Sequence, residues 1–227
     1  MKYIYYLRYF FYIAFNWNLR LAWFTVLQEM KGEKKYGINT IQLNDLKKLT
    51  LKGDINQAEI YQGANYYLLE LMFEKLQTLS PNNYIIDFGS GKGRVLVVAA
   101  FYDFIKITGV EFGKELCIEA RKTIHGVQQK FPGKIFNVIY ANAVDYKIED
   151  DSNVFFFFNP FNEISMLAVV KNILSSLKKK LRTVYVIYIN PLHKEIFMSA
   201  GFEEIYFFEK LFYIQGSLLV KEIEKED

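Results

Sequence analysis

The sequence predicts an α/β domain: a seven-stranded, mostly parallel sheet with helices on both faces and a C-terminal antiparallel hairpin, preceded by an aromatic N-terminal helix. Three observations carry this reading. Helical and strand patterns alternate from residue 55 onward, as they do in sheets covered on both faces. A glycine-rich turn follows the first strand and opens a helix. The last two strands are too close in sequence for a parallel crossover, which needs a dozen or more residues, so they pair as a hairpin at the sheet edge.

The first thirty of the 227 residues are dense in Tyr, Phe and Trp and read as one helix, with a boundary near residue 35 where Gly32 and Gly37 interrupt the pattern. Only 11 residues separate Arg8 from Arg20, and Asn16 and Asn18 lie among them, too short and too polar for a membrane span. A signal-peptide cleavage site is also missing. Rings flanked by Lys2, Arg8 and Arg20 suit either a helix lying at a membrane surface or one packed on the domain or on a second subunit as a homodimer contact. Residues 36–56 read as a polar connecting arm, 57–221 as the ligand-binding domain and 222–227 as a charged tail.

Within the domain, helix 64–79 leads to strand 84–88, then helix 93–102, strand 105–111, helix 114–129 and strand 136–140. Strand 154–158, helix 163–177, strand 183–189, a short helix 193–200 and strands 203–208 and 213–220 complete the series. Four consecutive phenylalanines, Phe155 to Phe158, mark a fully buried central strand.

Composition narrows the function. A net charge of +3 argues against a nucleic-acid partner. The single Cys117 excludes an internal disulfide and a cysteine zinc cluster, and His125 and His193 lack metal-ligand spacing, so no metal is expected and a reducing, cytoplasmic setting fits. No serine-hydrolase elbow, phosphate-binding P-loop or metalloprotease helix motif occurs.

The chemistry-bearing motif is Asp87-Phe88-Gly89-Ser90-Gly91-Lys92-Gly93. Glycines there allow a tight turn and a close ligand approach, and Glu111, ending the next strand, is placed to accept hydrogen bonds from ribose hydroxyls. Dinucleotide sites space their glycines GxGxxG, which Gly89, Gly91 and Arg94 do not match. The seven residues resemble instead the first motif of the class I methyltransferases that use S-adenosylmethionine (SAM), which has the form (Asp/Glu)xGxGxG.

That resemblance covers roughly residues 60–220 and implies the class I methyltransferase fold, SAM as cofactor and methyl transfer as the reaction. It implies that Asp87, Gly89, Ser90, Gly91 and Gly93 cradle SAM, that Glu111 holds its ribose and that Phe112 lies against its adenine. Asn142 and Ala143 stand where the family often has an Asp followed by a small residue; the Asn carbonyl can still accept from the adenine amino group. Asn159-Pro160-Phe161 resembles the (Asn/Asp/Ser)-Pro-Pro-(Tyr/Phe) pattern of amino-group methyltransferases with one proline fewer, and implies acceptor positioning beside SAM; the competing role for Asn159 is to cap the following helix. Tyr61-Gln62-Gly63 resembles the segment covering SAM in class I lysine methyltransferases, placing Tyr61 near the cofactor. Lys92 and Arg94 read as ligands for an anion or as solvated loop charges. Asn190-Pro191 after the fifth strand reads as a turn or as a border of the acceptor pocket.

The function expected is therefore a SAM-dependent methyltransferase acting on an unidentified acceptor, with a protein lysine or a small molecule as candidates. Nucleic-acid amino methylation and a non-catalytic SAM-binding assembly module are the alternatives.

Overall fold

The computed structural model describes residues 2–41, 63–79, 84–158 and 160–222. The aromatic segment forms two helices and not one: α1 (Lys2–Asn16) and α2 (Leu19–Tyr36). The break is local chemistry. Asn18 is extended and its side chain accepts from the Leu21 N–H at 2.8 Å, which starts a new helix. Gly37 ends α2 in the left-handed region at φ 69°, its N–H bonding back to Glu33.

The domain then runs α3 (Tyr66–Gln77), β1 (Tyr84–Phe88), α4 (Arg94–Ala100), β2 (Lys106–Glu111), α5 (Lys114–Gln128) and β3 (Ile135–Tyr140). It continues β4 (Val154–Phe158), α6 (Glu163–Lys179), β5 (Val184–Ile189), α7 (Lys194–Ser199), β6 (Glu203–Lys210) and β7 (Ile214–Lys221). The strand order is β3-β2-β1-β4-β5-β7-β6; β7 alone enters the sheet antiparallel to β5, and β6 pairs antiparallel to β7 at the edge.

Both faces of the sheet are buried along its central strands β1, β2, β4, β5 and β7. Successive residues of β4 point to opposite sides, so Phe155 and Phe157 meet Phe88 on the face under α6 and α7. Phe156 meets Phe73 of α3 on the other. The α1–α2 pair lies outside α3, and the approach is close: a Cβ on Gly32 would fall 2.1 Å from the Tyr66 ring. Gly216 does the same for α3 over β7, where a Cβ would come 2.5 Å from Met72 Cε. Among the described residues no helix is long and apolar enough to cross a membrane.

Candidate functional site

Three glycines with positive φ, Gly89 at 81°, Gly91 at 51° and Gly93 at 79°, fold the loop between β1 and α4. An L-residue in that region pays roughly 1–2 kcal/mol, so the loop needs glycine here. The Gly89 and Ser90 N–H groups both donate to the Val110 carbonyl, at 2.8 and 3.2 Å, which pins the loop to β2. Gly89 also faces Pro160: a Cβ there would lie 2.8 Å from the Pro160 Cβ. The loop after β1 and the loop after β4 thus touch at the carboxyl edge of the sheet, where open α/β sheets bind ligands.

Two carboxyls sit beneath this loop. Glu111 is 3 % exposed; its Oε2 accepts from the Gly91 N–H and its Oε1 from the Gly113 N–H, both at 2.8 Å. Each oxygen keeps a further acceptor position, which fits a pair of ribose hydroxyls. Burial raises the Glu111 pKa, and the hydrogen bonds from Gly113, Gly91 and Phe112 oppose that rise. Asp87 is 2 % exposed, and burial followed by the charge of Glu111 holds its carboxyl well above the usual carboxylate range. Its Oδ2 and the Ser90 Oγ are buried without a hydrogen-bond partner. Unsatisfied buried polar atoms are costly, and a glycine cradle carrying two of them fits a polar ligand that supplies the missing bonds. The residues present therefore fit SAM.

The other expected positions divide. Phe112 is partly buried beside Glu111. Asn142 caps a short 3-10 turn, Ala143–Asp145, through a 3.3 Å bond from the Val144 N–H to its Oδ1, leaving that carbonyl one further acceptor position; Ala143 is buried. Pro160 and Phe161 are half-buried, with Phe161 edge-on to Phe157 at 6.4 Å. Tyr61 and Asn159 lie outside the described residues. The cap of α6 is Asn162, whose Oδ1 accepts from the Ser165 N–H at 3.0 Å, so the capping role weighed for Asn159 belongs to the residue three further on.

Lys92 and Arg94 are neither solvated nor turned toward an anionic ligand. Lys92 is 2 % exposed and pairs with Glu119 at 3.5 Å. Arg94 is 3 % exposed and holds Glu29 of α2 with two bonds of 2.7 Å. It also donates to Thr40 Oγ1 at 2.8 Å and to the Ala64 carbonyl at 2.7 Å, and its guanidinium stacks on the Tyr66 ring at 4.2 Å. Glu33, one turn from Glu29, accepts from the Thr40 and Ile41 N–H groups and from the Tyr6 hydroxyl of α1. The first residue of α4 is in this way tied to both N-terminal helices. The sequence carried one signal for it: two acids at i, i+4 on a helix whose remaining inward positions are apolar apart from Thr25.

Beyond the carboxyl ends of β4 and β5 lies a pocket of about 250 Å³. The aromatic residues Tyr9, Trp17, Phe158, Phe212 and Tyr213 line it, and Thr25, Asn65, Asn190 and Gln215 supply neutral polar groups; among the described residues no charged side chain lines it. The Asn65 Nδ2 is buried there without a partner, while its Oδ1 caps α3. Asn190 thus both turns the chain and borders this pocket. The non-glycine residues at positive φ among those described are Asn190, Leu211 and Phe212, and two of the three line the pocket. Backbone strain of this kind concentrates at functional sites.

Comparison with known proteins agrees with this geometry. The family model for protein-L-isoaspartate(D-aspartate) O-methyltransferase matches residues 55–195. A candidate RNA methyltransferase from Pyrococcus horikoshii superposes with a TM-score of 0.52 at 18 % identity, over 80 % of this chain and 94 % of that one. The SAM-bound magnesium protoporphyrin IX methyltransferase of Synechocystis PCC 6803 gives 0.52 at 13 % identity, over 69 % and 78 %. The ribosomal protein L11 methylase of Lactobacillus delbrueckii gives 0.50 at 13 %, over 75 % and 84 %. At these identities the likeness speaks to the fold alone. A comparison with curated proteins gives no match. With seven strands in the order found, an intact glycine cradle and a family model spanning more than half its length, the chain belongs to the protein-L-isoaspartate(D-aspartate) O-methyltransferase (PCMT) family and is a SAM-dependent class I methyltransferase.

Proposed function

We propose that this methyltransferase acts on an uncharged amine, foremost a protein lysine side chain, inserted into the aromatic pocket at the ends of β4 and β5. The observation that carries the reading is the lining: five aromatic residues, neutral polar groups and, among the described residues, no charge in about 250 Å³. When bound, SAM supplies an electrophilic methyl carbon on a sulfonium sulfur, open to in-line displacement. Glu111 and the loop Gly89-Ser90-Gly91-Lys92-Gly93 hold the cofactor, and the unpartnered Asp87 Oδ2 and Ser90 Oγ take its polar groups.

The pocket's part is alignment and desolvation. A lysine must lose its proton before it can attack, and an apolar aromatic wall lowers an amine pKa by disfavouring the charged form. The proton leaves to water as the chain enters, and the side-chain carbonyl of Asn190 offers a neutral acceptor that orients an amine N–H without recharging the nitrogen. Phe158 connects the two halves of the site, because it lines the pocket and stands two residues before Pro160, which touches Gly89.

The family description favours a second reading, a carboxylate acceptor. Among the described residues the lining gives a carboxylate no cation to meet, which is why the amine is preferred. Incubating the protein with methyl-labelled SAM and peptides carrying either lysine or isoaspartate separates the two. Label that resists mild alkali on the lysine peptide supports the amine; label released by alkali as methanol, found only on the isoaspartyl peptide, refutes it.

A further inference from the structure

We infer that the outer face of the α1–α2 pair, together with the β6–β7 turn, docks on an anionic lipid bilayer. On α1 the residues Ile4, Leu7, Phe11 and Phe15 form one exposed stripe, with Phe15 84 % exposed. Trp23 and Leu27 continue it on α2, and the Phe10–Trp23 ring contact at 5.6 Å joins the two helices. Trp17 at the α1–α2 break meets Tyr213 of the β6–β7 turn at 6.5 Å, where Phe212 is held outward at φ 64° and 81 % exposed. Apolar surface this continuous marks an interaction site, and Trp and Tyr are stable at headgroup depth.

Charge selects the occupant. The only acids in residues 2–36 are Glu29 and Glu33, and both are 1 % exposed, committed to Arg94, Thr40 and Tyr6. On α1 and α2 the exposed charges are all cations, Arg8, Arg20, Lys31, Lys34 and the Glu70-paired Lys35, while at the β6–β7 turn the one exposed acid, Glu209, is held by Gln215. A second copy meeting it through a twofold axis would set cations against cations, whereas an anionic headgroup layer supplies the opposite sign. Docking brings the rim of the pocket, Trp17 and Tyr213, to the headgroup layer. This assignment does not rest on which acceptor the pocket takes.

The test is flotation of the full chain with vesicles of phosphatidylcholine alone or of phosphatidylcholine mixed with phosphatidylglycerol. The chain is expected to float with the mixed vesicles and weakly with the neutral ones. Phe15→Glu with Trp23→Glu, and separately Arg8→Glu with Arg20→Glu, should each cut partitioning by about tenfold or more while SAM binding stays intact, the latter showing that the variants are folded. Absence of flotation with the mixed vesicles, or flotation indifferent to both pairs of substitutions, overturns the inference. A dimer in solution that Phe15→Glu with Trp23→Glu dissociates, with no lipid binding, assigns the face to a second copy and overturns it equally.

Discussion

Arg94→Met tests whether the N-terminal helices are part of the catalytic fold. The guanidinium makes two 2.7 Å bonds to Glu29, one to Thr40 and one to the Ala64 carbonyl, and neither ion-pair partner is more than 3 % exposed. Deleting it leaves the Glu29 carboxylate buried without its partner, and breaking a buried pair in this way costs about 3–5 kcal/mol. A domain of this size shifts its melting temperature by roughly 2–4 °C per kcal/mol, so thermal unfolding should occur roughly 6–20 °C lower. The second half of the test is compensation. Glu29→Leu combined with Arg94→Met removes both charges, and replacing a buried pair by apolar groups is often near neutral, so the double variant should recover most of the loss. Thermal unfolding of the wild type, both single variants and the double variant gives the coupling directly. If Arg94→Met costs less than about 1 kcal/mol, as an exposed pair does, the anchoring argument fails.

Asp87→Asn tests the strained carboxyl. Its folded pKa stands above the ordinary value of 3.8, so the proton it holds contributes stability that is complete below that value and is lost as pH rises through the folded pKa. The substitution should flatten this slope in thermal melts of the free protein from acid to neutral pH, leave it at least as stable at neutral pH, and weaken SAM by about tenfold or more in titration calorimetry. An unchanged slope refutes the assignment. Gly89→Ala places a Cβ 2.8 Å from Pro160 at φ 81°, and it should lower both stability, by about 1–2 kcal/mol, and SAM affinity; a variant that binds SAM normally would separate the glycine turn from the cofactor. Tyr9→Ala and Asn190→Ala act on the pocket wall, so they should raise KM for the acceptor with little change in SAM affinity, whereas an equal loss in both would place the acceptor elsewhere.

The parts of this molecule that were legible in the sequence are those fixed by local patterning. Strands β1 and β4 fall where hydrophobic runs bounded by turn residues placed them, and the antiparallel ending followed from the shortness of the link between β6 and β7. Gly89, Gly91 and Gly93 announce a turn because only glycine is at ease at their φ values. The split of the aromatic segment was half visible, since Asn16 and Asn18 stood in it, yet the helical period on either side hid the cap that Asn18 forms. Arg94 was misread because its partner Glu29 lies 65 residues upstream, and nothing local distinguishes a loop arginine in solvent from one at the centre of a buried cluster. Asn159 and Asn162 are both good caps by residue type, and only the register of α6 selects the second. The pocket is nonlocal by construction: α1, the start of α3, the end of β5 and the β6–β7 turn each give it a wall.

This nonlocality limits how the N-terminal helices can be probed. Removing residues 1–30 would take away Glu29 together with Tyr9, Trp17, Leu21 and Thr25 of the pocket wall, leaving Arg94 buried beside Glu33 and Tyr66 with its principal partner gone. A truncated chain that failed to bind lipid would then report a damaged fold as readily as a lost docking surface. Substitutions confined to outward positions separate the two, because Phe15 and Trp23 neither line the pocket nor join the Arg94 cluster. The same geometry gives lipid docking a route to the chemistry. Arg94 directly follows Gly93 of the cofactor loop, and Glu29 lies on the helix that carries Trp23, so one short chain of buried contacts links the outer aromatic face to the SAM cradle. If that chain transmits docking, the SAM affinity of the wild type should rise on anionic vesicles, and Arg94→Met with Glu29→Leu should abolish the rise while leaving flotation unchanged. A rise that survives in the double variant would show that the membrane acts on the acceptor pocket directly, through Trp17 and Tyr213.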